Sequence, residues 1–436
     1  MQQDARGLAV TTDDPSVVTA IDRYTEAFLA YTNDAPVILD AVKADPACPL
    51  AQAYAGALSL FLESAGAPAQ AAPFIAAAEA TPNGTTRERL WTQAVRAWAD
   101  GDMNRAIDLH KAITARWPED LFAAKVGQYH LFNQGRCDEL CQLAEAVLPA
   151  NREIGYAHGM LAFGLEQTHR LAEAEVAGRH ATALQRADPW AHHAVAHVME
   201  TQGRIDEGIT WMEALSDAWS DCNSFMLTHN WWHVALFYLD REEPATALAL
   251  YDDRVWGVWK EYSQDQIGAV SLLARLELRG IDVGDRWQDV ADHMAAARRA
   301  HDHVNGFLDL QYLYGFARAG RADQCEAMRA SLADHAATRS IAGDPTWQDV
   351  VVPAADGLLA YAAGDMRRAA TALAGCRGDL IRLGGSHAQR DFFDQILIDA
   401  ALTAGATPIA EPLLLARKRA RPSVPVTDRL LARLPA

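Results

Sequence analysis

The chain has 436 residues, half of them hydrophobic and 22% charged, which supplies enough apolar material for a sizeable core and excludes a disordered chain. A formal net charge of −18 excludes nucleic acid as a partner, because an acidic surface repels phosphate backbones. No run of about eighteen apolar residues occurs, so no membrane span is expected, and the opening MQQDARGLAVTTDD lacks the basic and apolar regions of a signal peptide. The cysteines at 48, 137, 141, 222, 325 and 376 follow neither zinc-ribbon nor disulfide spacing. Free thiols in a reducing, cytoplasmic compartment are expected, with Cys137 and Cys141 read as part-buried small residues one turn apart.

From the N-terminus, 21-IDRYTEAFLAY-31 places apolar residues three and four apart, the period of an amphipathic helix, and 359-LAYAAGDMRRAATAL-373 does the same. Between them, turn signatures stand at Gly101-Asp102, Gly135-Arg136, His169-Arg170 and Gly203-Arg204, each 34 residues after the last. Pro118, Pro149 and Pro189 fall in the connections between pairs. A 34-residue helix–turn–helix period is the tetratricopeptide signature, since one pair cannot bury its apolar face and must stack. The expected fold is all-α: a right-handed α-solenoid of tetratricopeptide-like repeats forming one continuous domain over 1–436. The clearest repeats span 85–240. Less regular repeats follow over 241–416, with turns near Glu242-Glu243, Gly320-Arg321 and Gly364-Asp365, and WQDV occurs twice, at 287–290 and 347–350. The tail, 417–436, carries a basic cluster and three prolines; it is expected to wrap back or fray, with the basic cluster a solvated helix end rather than a binding site.

The residues that carry chemistry begin at Asp188-Pro189, a helix start with Asp as N-cap and Pro in the first turn. Trp190, His193, His197 and Glu200 then lie at i, i+3, i+7 and i+10 on one face, while His192 points off that face and is expected to be exposed. On a following helix His229 and His233 stand at i, i+4 with Trp232 beside them. Neighbouring antiparallel helices would bring the two faces together. Three readings stay open. His193, His197, His229 and His233 suffice to ligate a divalent metal such as zinc, iron or manganese, although HxxxH here lacks the glutamate of HExxH. His193, His197, Glu200, His229 and His233 would also serve as general acids and bases, with Trp190 and Trp232 excluding water. Alternatively the imidazoles only hydrogen-bond across helices and fix their register. Further on, 384-GGSHAQRD-391 ends one helix and caps the next with Ser386; its N–H groups with Arg390 form either an anion pocket or an ordinary N-cap.

Taken together, 155-GYAHGMLAFGLEQTHRLAEAE-175, 190-WAHHAVAHVME-200, 229-HNWWHVALFYL-239, 284-GDRWQDV-290 and 384-GGSHAQRD-391 resemble the tetratricopeptide-repeat protein 38 family, in order from about residue 45 to the C-terminus. The resemblance implies the same helical-repeat fold. It marks His193, His197 and Glu200, then His229, Asn230, Trp232 and His233, then Ser386, His387, Gln389, Arg390 and Asp391 as matching positions. In 302-DHVNGFLDLQYL-313 the family reads roughly Phe-Asn-Asp-x-His; this chain keeps Phe307 and Asp309 but carries Leu308 and Gln311 instead of the Asn and His. If those two positions were ligands, that half of the site is altered here.

The expectation is therefore an interior pocket with His193, His197, Glu200, His229 and His233 as the reactive groups. Trp190, Asn230, Trp232, Asp309 and the Ser386–Asp391 segment would contact a small-molecule ligand, bound or converted by acid–base or metal-assisted chemistry. The alternative is a scaffold that holds a peptide or protein partner in a concave groove. Such grooves favour Asn, Lys and Arg clamps spread over several repeats. Here the unusual polar residues are His and Trp in a few motifs, which favours the small molecule.

Overall fold

The computed structural model describes residues 1–435 and contains 23 α-helices among them. The named strands among the described residues are Gln2–Gln3 and Ala9–Val10, which pair antiparallel over two residues. The all-α helical-repeat expectation therefore holds, apart from this short ladder and an isolated antiparallel bridge between Thr32 and Cys222.

The repeat turns share one backbone device. Gly101, Gly135, His169 and Gly203 all adopt the left-handed conformation, with φ between 59° and 79°. In each, the following N–H reaches back five residues to close the preceding helix: Asp102 to Ala97, Arg136 to Leu131, Arg170 to Leu165 and Arg204 to Met199, at 2.8–2.9 Å. This satisfies a carbonyl that the helix end would otherwise orphan. Glu243, Arg321 and Asp365 make the same bond to Tyr238, Phe316 and Ala360, each at 2.9 Å, so the expected later turns also fall where the sequence places them. In the clearest repeats the next helix opens with an arginine paired to a glutamate three residues on: Arg136–Glu139, Arg170–Glu173 and Arg204–Glu207. These pairs are solvent-accessible, so they mark the register and add little stability.

Contacts cluster into two compact units, one of Met1–Phe132, Arg136–Val195 and Asp217–Met226, the other of Asn133–Gly135, Ala196–Ser216 and Leu227–Ala436. The first unit stacks helix pairs such as Pro49–Leu60 with Ala67–Glu79 and Gly155–Gln167 with Leu171–Leu184. Its core holds an aromatic group in which Tyr24, Tyr54 and Trp91 pack on Phe122 at centroid distances of 4.7–5.2 Å. The second unit has its own core, including Trp232, Tyr251, Tyr314 and Phe392. Both WQDV segments lie there, each with its Trp and Val buried, opening the helix Arg286–Ala296 and the turn Trp347–Val351.

The tail wraps back rather than frays, and two of its basic residues are not solvated as expected. Arg417 and Arg421 are only 13% exposed. Arg417 pairs with Asp391, Arg421 Nη1 donates to Asp240 at 3.0 Å, and Ser423 Oγ donates to the Gly203 carbonyl at 2.8 Å. Arg417 and Arg421 are drawn inward by Asp391 on the preceding helix and by Asp240, whereas Arg419 stays exposed.

Candidate functional site

The helix Pro189–Gln202 is capped as its sequence suggests: Asp188 Oδ1 accepts from Trp190 N at 3.0 Å and Ala191 N at 3.2 Å. Residues 191–200 are all buried, and this corrects the expectation for His192. Instead of facing solvent, His192 is fully buried, and Trp219 Nε1 donates to its Nδ1 at 3.1 Å. A residue off the histidine face meets solvent only if the helix has a solvent face, and this one has none. The absence of any Lys, Arg, Asp, Glu or Gln from 190 to 199 was the available signal. Trp190 stacks on Tyr31 at 5.5 Å, with the Lys125 ammonium 4.1 Å from its ring centre. His193 packs on the Trp190 ring at 4.7 Å and the Phe163 ring at 5.6 Å.

One turn beyond His193 on the same helix is His197. The helix Ser224–Asp240 supplies His229, Asn230, Trp232 and His233. The ring nitrogens that His197, His229 and His233 offer lie within 4.8 Å of one another. His197 and His233 meet edge to face at 4.5 Å, His229 and His233 at 4.9 Å, and Trp232 stacks on His229 at 5.2 Å. His233 Nδ1 is 3.2 Å from Glu200 Oε2. Asn230 and His233 are fully buried and His197 nearly so, whereas His229 is half-buried and leaves an approach from outside.

Burial sets the electrostatics. It holds His197 and His229 well below the usual imidazole range, helped by the neighbouring histidines and, for His197, by the charges of His387 and Arg390. His233 is pushed down to about 3, by burial first and the Arg275 guanidinium second. Glu200 is pushed up to about 7, again by burial. All three imidazoles are therefore neutral at pH 7, the form that ligates metals. A proton on His233 Nδ1, facing Glu200, would leave the ring's lone pair on Nε2.

The Ser386–Asp391 segment divides. Ser386 and Gln389 form a capping box for the helix His387–Thr403: Gln389 N donates to Ser386 Oγ at 3.2 Å and Ser386 N to Gln389 Oε1 at 2.9 Å. Arg390 turns back to the carbonyls of Gly384 and Gly385 and lies 3.3 Å from His387 Nδ1, so its guanidinium serves the loop. Asp391 binds Arg417 and Gln395. Only His387 and Arg390 of this segment act electrostatically on His197. Asp309 is fully buried and directs its carboxylate to His303 Nδ1 at 2.5 Å. Gln311 is buried, its amide 3.5 Å from the Phe307 carbonyl, and Leu308 packs in the core.

Sequence reasoning missed Arg275. Its guanidinium is buried 5.3 Å from the Trp232 ring centre and donates to the Ala388 carbonyl at 2.7 Å, tying the Ser263–Glu277 helix to the Ser386–Asp391 segment. The signal was a lone arginine on the apolar face of 267-IGAVSLLARLEL-278, one turn after Ser271.

Fold and site define a helical-repeat protein with a buried histidine cluster. No family model matches the chain. Among solved structures, a chain of the Naa15/Naa10 assembly bound to HypK-THB is similar, with a TM-score of 0.26 and 14% sequence identity, over 80% of this chain and 60% of that one. The chain thus spans 60% of the length of that neighbour.

Proposed function

We propose that the protein binds a divalent transition metal, zinc in the first instance, through His197, His229 and His233, and uses it to bind or convert a small molecule. The observation that carries this reading is the convergence of three neutral imidazole nitrogens within 4.8 Å. Zinc–nitrogen bonds of 2.0–2.1 Å place tetrahedral ligands about 3.4 Å apart, a distance small rotamer adjustments reach. His229 stands at i−4 from His233, and such pairs on one helix ligate a common ion. Glu200 behind His233 supports the reading further, because a carboxylate on the far nitrogen fixes the tautomer and orients a ligating ring. A metal held by imidazoles lowers the pKa of bound water and polarises carbonyls, and Glu200 is placed to exchange a proton with His233. Imidazoles enclosed this way are poorly placed as clamps for a peptide in an open groove. The match of these motifs to the tetratricopeptide-repeat protein 38 family, and the six free cysteines with the reducing cytoplasm they suit, belong to the same reading.

Elemental analysis of full-length protein purified without a histidine tag tests it. The expected result is close to one metal per chain, lost in His197→Ala and His233→Ala and kept in His180→Ala, where the imidazole is exposed. A wild-type protein that binds added zinc no more tightly than His233→Ala would end the metal reading.

A further inference from the structure

A second constellation uses none of the four histidines or Glu200. His303 lies in the loop before the helix Gly306–Arg318, and Asp309 is in the first turn of that helix. Ser331 comes from the middle of Ala322–Ile341. His303 Nδ1 is 2.5 Å from Asp309 Oδ2, and His303 Nε2 is 2.6 Å from Ser331 Oγ. Each nitrogen of one imidazole thus has a partner of the type a nucleophilic relay needs: a buried carboxylate on one side to orient the ring, a hydroxyl on the other to give up its proton. Asp309 is fully buried and the His303 side chain only 9% exposed, whereas Ser331 is half-buried and retains contact with solvent. The backbone of His303 is held at φ 47°, a conformation non-glycine residues rarely adopt. Strain of that kind persists where surroundings enforce it, and it aims this ring at Ser331.

We infer that Ser331, His303 and Asp309 form a nucleophilic relay that transfers an acyl group from a carboxylic ester to water. In the first half, Ser331 Oγ bonds to the ester carbonyl carbon as its proton passes to His303 Nε2, and the ester C–O bond breaks as that proton goes to the leaving alkoxide. In the second half, water attacks the acyl-serine and gives its proton to His303. The carboxylic acid leaves, and Ser331 takes the proton back. Asp309 orients the ring and stabilises the imidazolium that forms within each half, before the proton moves on. His335, one turn after Ser331 on the same helix, has its ring 5.1 Å from that of His303 and 4.4 Å from that of Trp347. Burial keeps His335 neutral at pH 7, so it can donate an N–H to the oxyanion, while Trp347 supplies an apolar wall for the acyl group.

The test uses full-length protein with a fluorophosphonate probe, in the presence and absence of a chelator. Labelling should map to the Ser331 peptide, persist after metal removal, vanish in Ser331→Ala, and slow at least about 100-fold in His303→Asn, the general-base contribution. Persistence with chelator separates this site from the histidine cluster, so loss of one reading leaves the other standing. Ser331→Cys guards against a misfolded alanine variant: iodoacetamide should alkylate that thiol faster at pH 7 with His303 present than in the Ser331→Cys, His303→Asn double variant. No labelling at Ser331 in the wild type, or equal alkylation of the two cysteine variants, overturns the relay.

Discussion

Glu200 meets the histidine cluster at His233 Nδ1. Glutamine in its place keeps an acceptor for that N–H but loses the charge that raises the basicity of the ring. Glu200→Gln should therefore weaken zinc affinity about 10–100-fold with the fold intact, read by competition against a zinc-binding dye; an unchanged affinity would reduce Glu200 to packing. Asp391 has a different task. It holds Arg417 and faces Arg421, and these charges keep its carboxyl well below the usual range. Removing its charge leaves Arg417 uncompensated with little solvent, so Asp391→Asn should cost about 3 kcal/mol in urea denaturation. A depressed carboxyl contributes stability that is complete above the unfolded pKa, near 3.8, and is lost as pH falls through the folded value. The wild type should accordingly lose stability below about pH 4 more steeply than Asp391→Asn. The histidine faces were legible residue by residue, because helical spacing alone puts His193 with His197 and His229 with His233. Arg275 and the buried state of His192 were not, since both depend on what lies across from the helix.

At the scale of elements, close approach decides how the histidine helix sits. Gly208, in Ile205–Leu215, faces the ring of Phe237, in Ser224–Asp240. A Cβ at Gly208 would stand 2.3 Å from that ring, which is itself buried and has nowhere to turn. Gly208→Ala should therefore cost about 1–3 kcal/mol, the usual penalty of overpacking. Because Phe237 lies one turn beyond His233, the variant should also weaken metal retention; thermal melts with and without zinc measure both effects. Repeat turns were readable in advance because one left-handed residue and one back-reaching N–H are local, and glycine or a small polar residue announces them. Even His169, lacking glycine's freedom, was betrayed by its place in the 34-residue period. The burial of Arg417 and Arg421 was not readable for the opposite reason: their partners, Asp391 and Asp240, lie 26 and 181 residues earlier, and a basic run looks the same whether it meets water or carboxylates.

At the scale of the whole molecule, each unit has its own core, and each core holds a buried cysteine. Cys48 belongs to the first and Cys376 to the second. Composition and period announced an all-α array, but the division into two units depends on summed packing that no motif encodes. The six cysteines are free, and no described helix is long and apolar enough to cross a membrane. Burial pushes both thiols up to about 11, so in the native state they are shielded by packing and by a low thiolate fraction. Stacked repeats draw stability from neighbours and open in local units, so the two cores need not open together. Peptide-resolved alkylation across a urea series should give different midpoints for Cys48 and Cys376; coincident midpoints would mean a single cooperative transition. Zinc adds a second reading to the same experiment, because His197, His229 and His233 share a unit with Cys376. A ligand that binds only the folded state stabilises it by about 2.7 kcal/mol at a hundred times its Kd. The Cys376 midpoint should move to higher urea, by that free energy divided by the m-value, in the wild type and stay in place in His233→Ala.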